Sequence, residues 1–228
     1  MTRFENISPP LLTRIDELLI AHHPFLKETD EVYYLGEFTN GKRADHSPMN
    51  RQIFNYKKEL KWEGKQSWEY KEFAIKDVAK SFRTLILQTS EFPERIKKAL
   101  LVPIPPHIAK GDPGYDDRNL KMLNYFVPKG NIHELILQKE SREALHESNK
   151  RDIKKLEHNY ILNAPKQNIE FNEIWLFDDV LRHGTHFRAI HNLLERSYPN
   201  VKIVGFFIAR SIQYLPTFGT ELGPPLPF

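Results

Sequence analysis

Ile174-Trp175-Leu176-Phe177-Asp178-Asp179-Val180-Leu181-Arg182-His183-Gly184-Thr185-His186-Phe187 carries the clearest structural instruction in the chain. Four consecutive apolar residues predict a buried strand. Two carboxylates follow where that strand is expected to end, then a polar turn containing Gly184. Phe187, Ile190, Leu193 and Leu194 recur at helical spacing up to Tyr198. The unit is strand, acidic pair, turn, helix. Neighbours in an extended segment point to opposite faces, so Asp178 and Asp179 need not crowd one another. Ionised carboxylates accept strong hydrogen bonds from vicinal hydroxyls. A glycine lets backbone approach a ligand, and the opening amides of a helix can surround a phosphate. A sugar phosphate fits all three parts. An ordinary strand-to-helix turn fits them too, because turns and helix N-termini favour Asp. Spacing alone leaves both open.

Outward from this unit, residues 99–104 form a short apolar run stopped by Pro105-Pro106. They predict a central parallel strand, since proline cannot donate to a sheet ladder. Residues 201–208 predict another, with Ala209-Arg210 at its end. Ala74, Ile75, Val78, Phe82, Leu85 and Ile86 give a helical stripe over 70–87, with Lys71, Lys76, Lys80 and Arg83 expected in solvent. A shorter helix is expected over 11–19, a strand around 32–35, a loop over 39–50, and a helix over 118–126 capped by Asp117. Residues 138–151 are dense in charge and poor in core residues. Strands alternating with helices predict an α/β fold with a mostly parallel central sheet flanked by helices.

The acidic pair and its turn resemble the thirteen-residue signature of the type I phosphoribosyltransferases. The wider chain, over about 102–210, is similar to their competence-protein F branch, without that branch's cysteine-rich metal knuckle. The resemblance implies a phosphoribosyltransferase-like core over 91–215, an N-terminal accessory or hood region over 1–90, and an irregular tail over 216–228. It implies phosphoribosyl diphosphate as ligand. Asp178 and Asp179 would hold the ribose hydroxyls, and Arg182, His183, Gly184, Thr185 and His186 the 5′-phosphate. Val102-Pro103-Ile104-Pro105 matches the end of the family's first core strand, which makes Lys110 and Arg118 candidate diphosphate contacts. Residues 138–151 resemble the family's closing segment, with Arg142 and Arg151 as its cations beside Lys139 and Lys150. A lid fits the chemistry, because a developing glycosyl cation needs shelter from water and a departing diphosphate needs positive partners. The turn departs from the family: Arg182, His183 and His186 stand where small hydroxyl residues are usual.

Composition sets bounds. With 228 residues the chain can bury one large core. It contains no cysteine, which excludes disulfides, thiolate nucleophiles and cysteine-bound zinc. No apolar run reaches about 18 residues, and residues 1–5 lack an apolar signal segment, so a cytoplasmic protein with no membrane partner is expected. A net charge of +3 suits an anionic ligand but lacks the clustered basic face of a nucleic-acid binder.

The expected activity is therefore transfer of ribose 5-phosphate to an unidentified nitrogen nucleophile with release of diphosphate. Magnesium would be carried mainly by the donor's own oxygens. Tyr33, Tyr34 and Phe38 are candidate stacking groups for the acceptor, or core residues. Two rivals follow from family analogy: a non-catalytic regulator that binds phosphoribosyl diphosphate, and a nucleic-acid-handling accessory of DNA uptake or repair. A homodimer is expected from the family alone. The His22-His23 pair and the triplet His183, His186 and His191 raise a metal-hydrolase alternative.

Overall fold

The computed structural model describes residues 11–127, 131–142, 152–165 and 169–213. Arg151, Lys150 and the tail 216–228 lie outside them. The first ordered elements are strand β1 (Thr13–Arg14), helix α1 (Glu17–Ile20), strand β2 (Glu31–Asn40), and helices α2 (Pro48–Tyr56), α3 (Glu69–Gln88) and α4 (Phe92–Arg95). Strand β3 (Ala99–Pro103), helix α5 (Arg118–Phe126), strand β4 (Ile136–Gln138), helix α6 (Ile153–Asn159) and strand β5 (Tyr160–Leu162) follow. Strand β6 (Glu173–Leu181), helix α7 (Thr185–Ser197) and strand β7 (Lys202–Gln213) complete the fold. Among the described residues, five strands form one sheet in the order β1-β2-β7-β6-β3, and β4 and β5 form a separate antiparallel pair. The pairs β2–β7, β7–β6 and β6–β3 are parallel and only β1 runs antiparallel.

Alternation along β6 divides the core. Trp175 and Phe177 face α2, α3 and α5, while Ile174 and Leu176 face α6 and α7. Because both faces are covered, the strands are apolar throughout rather than alternating. Phe206 is the hub of the first face. It stacks on Phe177 with centroids 5.1 Å apart and on Tyr33 at 5.5 Å, and meets Phe92 at 5.7 Å. Offset and edge contacts of this kind add to the gain from burying the rings. No helix among the described residues is long and apolar enough to cross a membrane.

Several expectations change. The 11–19 helix shrinks to four residues. Ile15 is drawn into the core, and Asp16 accepts from the Leu18 and Leu19 amides at 3.1 and 3.0 Å, which starts the helix late. The 39–50 loop narrows, because β2 runs to Asn40 and Ser47 caps α2 from Pro48. The strand expected to be central, β3, is the last of its sheet. Its free side is covered by residues 131–133, through Leu101 N to Asn131 O (2.7 Å) and His133 N to Leu101 O (3.0 Å). A covered edge strand and a central one have the same apolar sequence. Strand β6 does not stop before the acids. It pairs with β7 as far as Leu181 opposite Arg210, so Asp178 and Asp179 sit inside its last turn of pleat. Asp117 makes no capping bond and instead pairs with Lys121, 2.9 Å away one helical turn on. Residues 31–40, from the expected accessory region, form a strand of the central sheet beside β7.

Candidate functional site

Beyond the carboxyl ends of β3 and β6, where open α/β sheets gather ligands, lies a cleft of about 660 Å³. Its floor is Asp178 to Phe187. One wall is Lys57 to Lys61, apart from Lys58, and the other is the 105–108 loop with Arg118 and Arg142. The acidic pair and the turn, neighbours in sequence, are thus joined by cations from three distant segments.

The two acids have different surroundings. Asp179 is buried and doubly paired. Arg118 reaches Oδ2 with Nη2 at 2.7 Å and Nε at 3.2 Å, and Lys57 Nζ lies 3.1 Å from Oδ1. Burial alone would raise its pKa, but Lys57 and Arg118 outweigh burial and hold it well below the usual carboxylate range. Asp178 accepts from neutral donors, its neighbour's amide at 2.8 Å and Asn119 Nδ2 at 3.3 Å. Burial, and then the charge on Asp179, push it up to about 7. Asn119 is oriented for this by a second donation to Ile104 O (3.0 Å) and by the Tyr56 hydroxyl, which donates to its Oδ1 at 2.9 Å. Burial keeps that phenol protonated far past its ordinary value.

Arg118 is itself gripped. Its Nη1 donates to Asp116 Oδ2 at 2.8 Å, and Asp116 also takes Lys71 Nζ at 2.7 Å. Lys71 was expected in solvent on the polar side of the long helix. It is buried, because α5 and the chain before it cover that side of α3, and it also bonds Lys58 O at 2.7 Å. A buried ammonium persists where it is paired and bonded in this way.

The turn after the acids is built for close approach. Gly184 is left-handed with φ 82° and stands at the N-cap of α7, where it supplies no side-chain cap to the first amides. A Cβ there would meet Leu26 Cδ2 at 2.9 Å. The turn is braced from behind by residues 23–26: Phe25 N donates to His183 O at 3.0 Å, and His23 Nδ1 donates to Arg182 O. A carbonyl can only accept, so this bond sets the His23 tautomer. His23 is therefore a prop for the loop rather than a metal ligand beside His22. Gly184→Ala is expected to lower stability by about 1–2 kcal/mol through left-handed strain. Urea denaturation checks this, and a change below about 0.3 kcal/mol would show that the loop adjusts without cost.

His186 lines the cleft but turns its ring toward the β4–β5 pair. The Tyr160 hydroxyl lies 2.6 Å from Nδ1 and Arg142 Nη2 lies 3.2 Å from Nε2. Burial and then the Arg142 charge hold its imidazole down at about 3, so it is neutral near pH 7. Arg142 is anchored by its amide to His107 O (3.0 Å) and by Nε to Gln138 Oε1 (3.1 Å). One cation of the expected lid, Arg142, thus rests against the first turn of α7.

Other expected residues go elsewhere. Lys110 pairs with Glu134, to which Tyr115 also donates at 3.0 Å, rather than lining the cleft. Arg210 pairs with Glu37 across the β2–β7 ladder and lies over the Tyr34 ring at 5.6 Å. Tyr33, Tyr34 and Phe38 are core. The residues that sequence missed are Lys57, Asp116, Asn119 and Tyr56. A signal for Lys57 in the sequence is the grouping of Lys57, Lys58 and Lys61 just after the ordered element over 53–56. Among the described residues, no group of three or more His, Asp and Glu side chains is arranged to hold a metal ion. No protein-family model matches the chain, and no curated protein is significantly similar to it.

Proposed function

We propose that the cleft binds phosphoribosyl diphosphate and that the protein transfers its ribose 5-phosphate to a nitrogen nucleophile. The observation that carries this is the joining, in one cleft at the carboxyl ends of parallel strands, of an acid pair, an uncapped helix start and a ring of cations. Asp178 and Asp179 accept from the ribose hydroxyls. The amides opening α7 take the 5′-phosphate, where the helix dipole favours negative charge. Arg142 stands near the charge that grows on the diphosphate. Nitrogen attacks C1, the C1–O bond breaks with its electron pair leaving on diphosphate, and the nitrogen sheds a proton. Magnesium carried in on the donor would neutralise leaving-group charge, and Asp178 and Asp179 would be the hard oxygen donors the cleft offers beside it.

One observation favours the binding-only alternative. Asp179 already has a cation on each oxygen, and the turn carries Arg182, His183 and His186. A regulator that titrates ligand without turnover fits that crowding. Calorimetry with phosphoribosyl diphosphate and magnesium, combined with a diphosphate-release assay, separates the two. Wild type is expected to bind. Asp178→Asn with Asp179→Asn is expected to lose at least tenfold in affinity, about 1.4 kcal/mol, with its circular dichroism unchanged. Equal binding by both proteins would falsify the site. Binding without diphosphate release across a panel of nitrogen acceptors leaves the regulator.

A further inference from the structure

Lys57 has no role in the expectations drawn from sequence, yet it occupies the cleft face of Asp179. The two cations on that carboxylate differ in how they are held. Arg118 is largely enclosed, with a side chain 13% exposed, and is fixed on its far side by Asp116, which is fixed in turn by buried Lys71. Lys57 is 40% exposed and projects from the C-cap of α2, and among the described residues its ammonium pairs with the Asp179 carboxylate alone. Arg118 takes Oδ2 and Lys57 takes Oδ1. Oδ1 is therefore the oxygen that a hydroxyl entering the cleft can reach once the lysine moves. A flexible ammonium on a four-carbon stem can swing where a forked, enclosed guanidinium cannot.

We propose that Lys57 is a displaceable counter-ion, which neutralises Asp179 in the empty cleft and moves to the diphosphate of the ligand when a sugar hydroxyl takes its place. The inference rests on the proposed function and adds a residue to it. The exchange leaves each group with a partner at each stage. Before binding, Asp179 is shared by two cations. Afterwards it keeps Arg118 and accepts from a hydroxyl, while the ammonium meets a new anion within the same cleft. Arg118 is then a permanent partner and Lys57 a conditional one. Lys57 is a positioning residue for the carboxylate and a direct contact for the diphosphate.

The test compares two probes, phosphoribosyl diphosphate with magnesium and ribose 5-phosphate, against wild type, Lys57→Met and Lys57→Arg. Ribose 5-phosphate has the hydroxyls and the 5′-phosphate but no diphosphate. In Lys57→Met, affinity for phosphoribosyl diphosphate is expected to fall about tenfold, the scale of one lost charge contact. Affinity for ribose 5-phosphate is expected to hold or rise, because its hydroxyl no longer competes with the lysine. Lys57→Arg is expected to recover at least half the loss on the logarithmic scale. Equal losses for both probes, or no loss for either, overturn the exchange while leaving the site in place. Wild type that binds neither probe overturns the site itself, and the exchange with it. The exposed position of Lys57 makes the folded variant accessible to both measurements.

Discussion

Arg118→Met is expected to destabilise the ligand-free protein by about 3 kcal/mol at pH 7, the lower end of what breaking a buried ion pair costs. The substitution keeps most of the side chain's length and removes three hydrogen bonds, two to Asp179 and one to Asp116. Each acid keeps one cation, Lys57 for Asp179 and Lys71 for Asp116, which is why the loss stays at the low end. Asp179 is held below the ordinary carboxylate value in the folded protein. Its stabilisation is therefore present above the unfolded value of 3.8 and lost as pH falls below it. The cost of Arg118→Met should accordingly shrink on the acid side. Urea denaturation at pH 7 and near pH 3 measures both. A loss below about 1 kcal/mol at pH 7 would mean that Arg118 is not the anchor of the network.

Asp178→Asn should do the opposite. Asp178 is raised from 3.8 to about 7 in the folded protein, by burial first and then by the neighbouring Asp179 charge. Between those values the folded protein holds a proton that the unfolded chain releases, so its contribution is full below about pH 4 and is lost as pH rises through about 7. The amide cannot ionise, and its oxygen can still accept from Asn119. The variant should match wild type near pH 4 and exceed it by about 2–4 kcal/mol at pH 8, since ~1.4 kcal/mol is lost per pH unit between the unfolded and folded values, less an allowance for partial solvation. A stability difference that stays flat from pH 5 to pH 8 would show that Asp178 titrates as an ordinary carboxylate. The same substitution is expected to weaken ligand binding, so the ligand-free protein is more stable without the group that its proposed function uses. Strained, repelling charges of this kind are a common signature of binding sites.

The elements that sequence reports well here are those whose signal is local. Ile174–Phe177 reads as buried strand, Phe187–Leu194 as helix, and Val102–Pro105 as a strand ending in a loop, because side-chain period and proline chemistry act over a few residues. The acids and Gly184 were placed at one site for the same reason. Local signals also misled. Asp117 has the identity of a cap but pairs with Lys121 instead. Lys110 follows the expected loop but turns to Glu134. Asp178 and Asp179 looked like the residues after a strand, though the β7 ladder continues past them to Leu181.

Sequence by itself determined the parallel α/β layering, the two apolar faces of β6 and the coupling of an acid pair to a helix start. Only the tertiary structure decided how those acids differ. Lys57, Asn119 and Arg118 reach them from 59 to 122 residues away, and Lys71 supports Arg118 through Asp116. Pairings at that separation leave no periodicity in the chain. They exist because α2, α3 and α5 pack on one face of the sheet and direct their polar ends to the same site, where the placing of Lys57 and Arg118 decides which carboxylate keeps its charge.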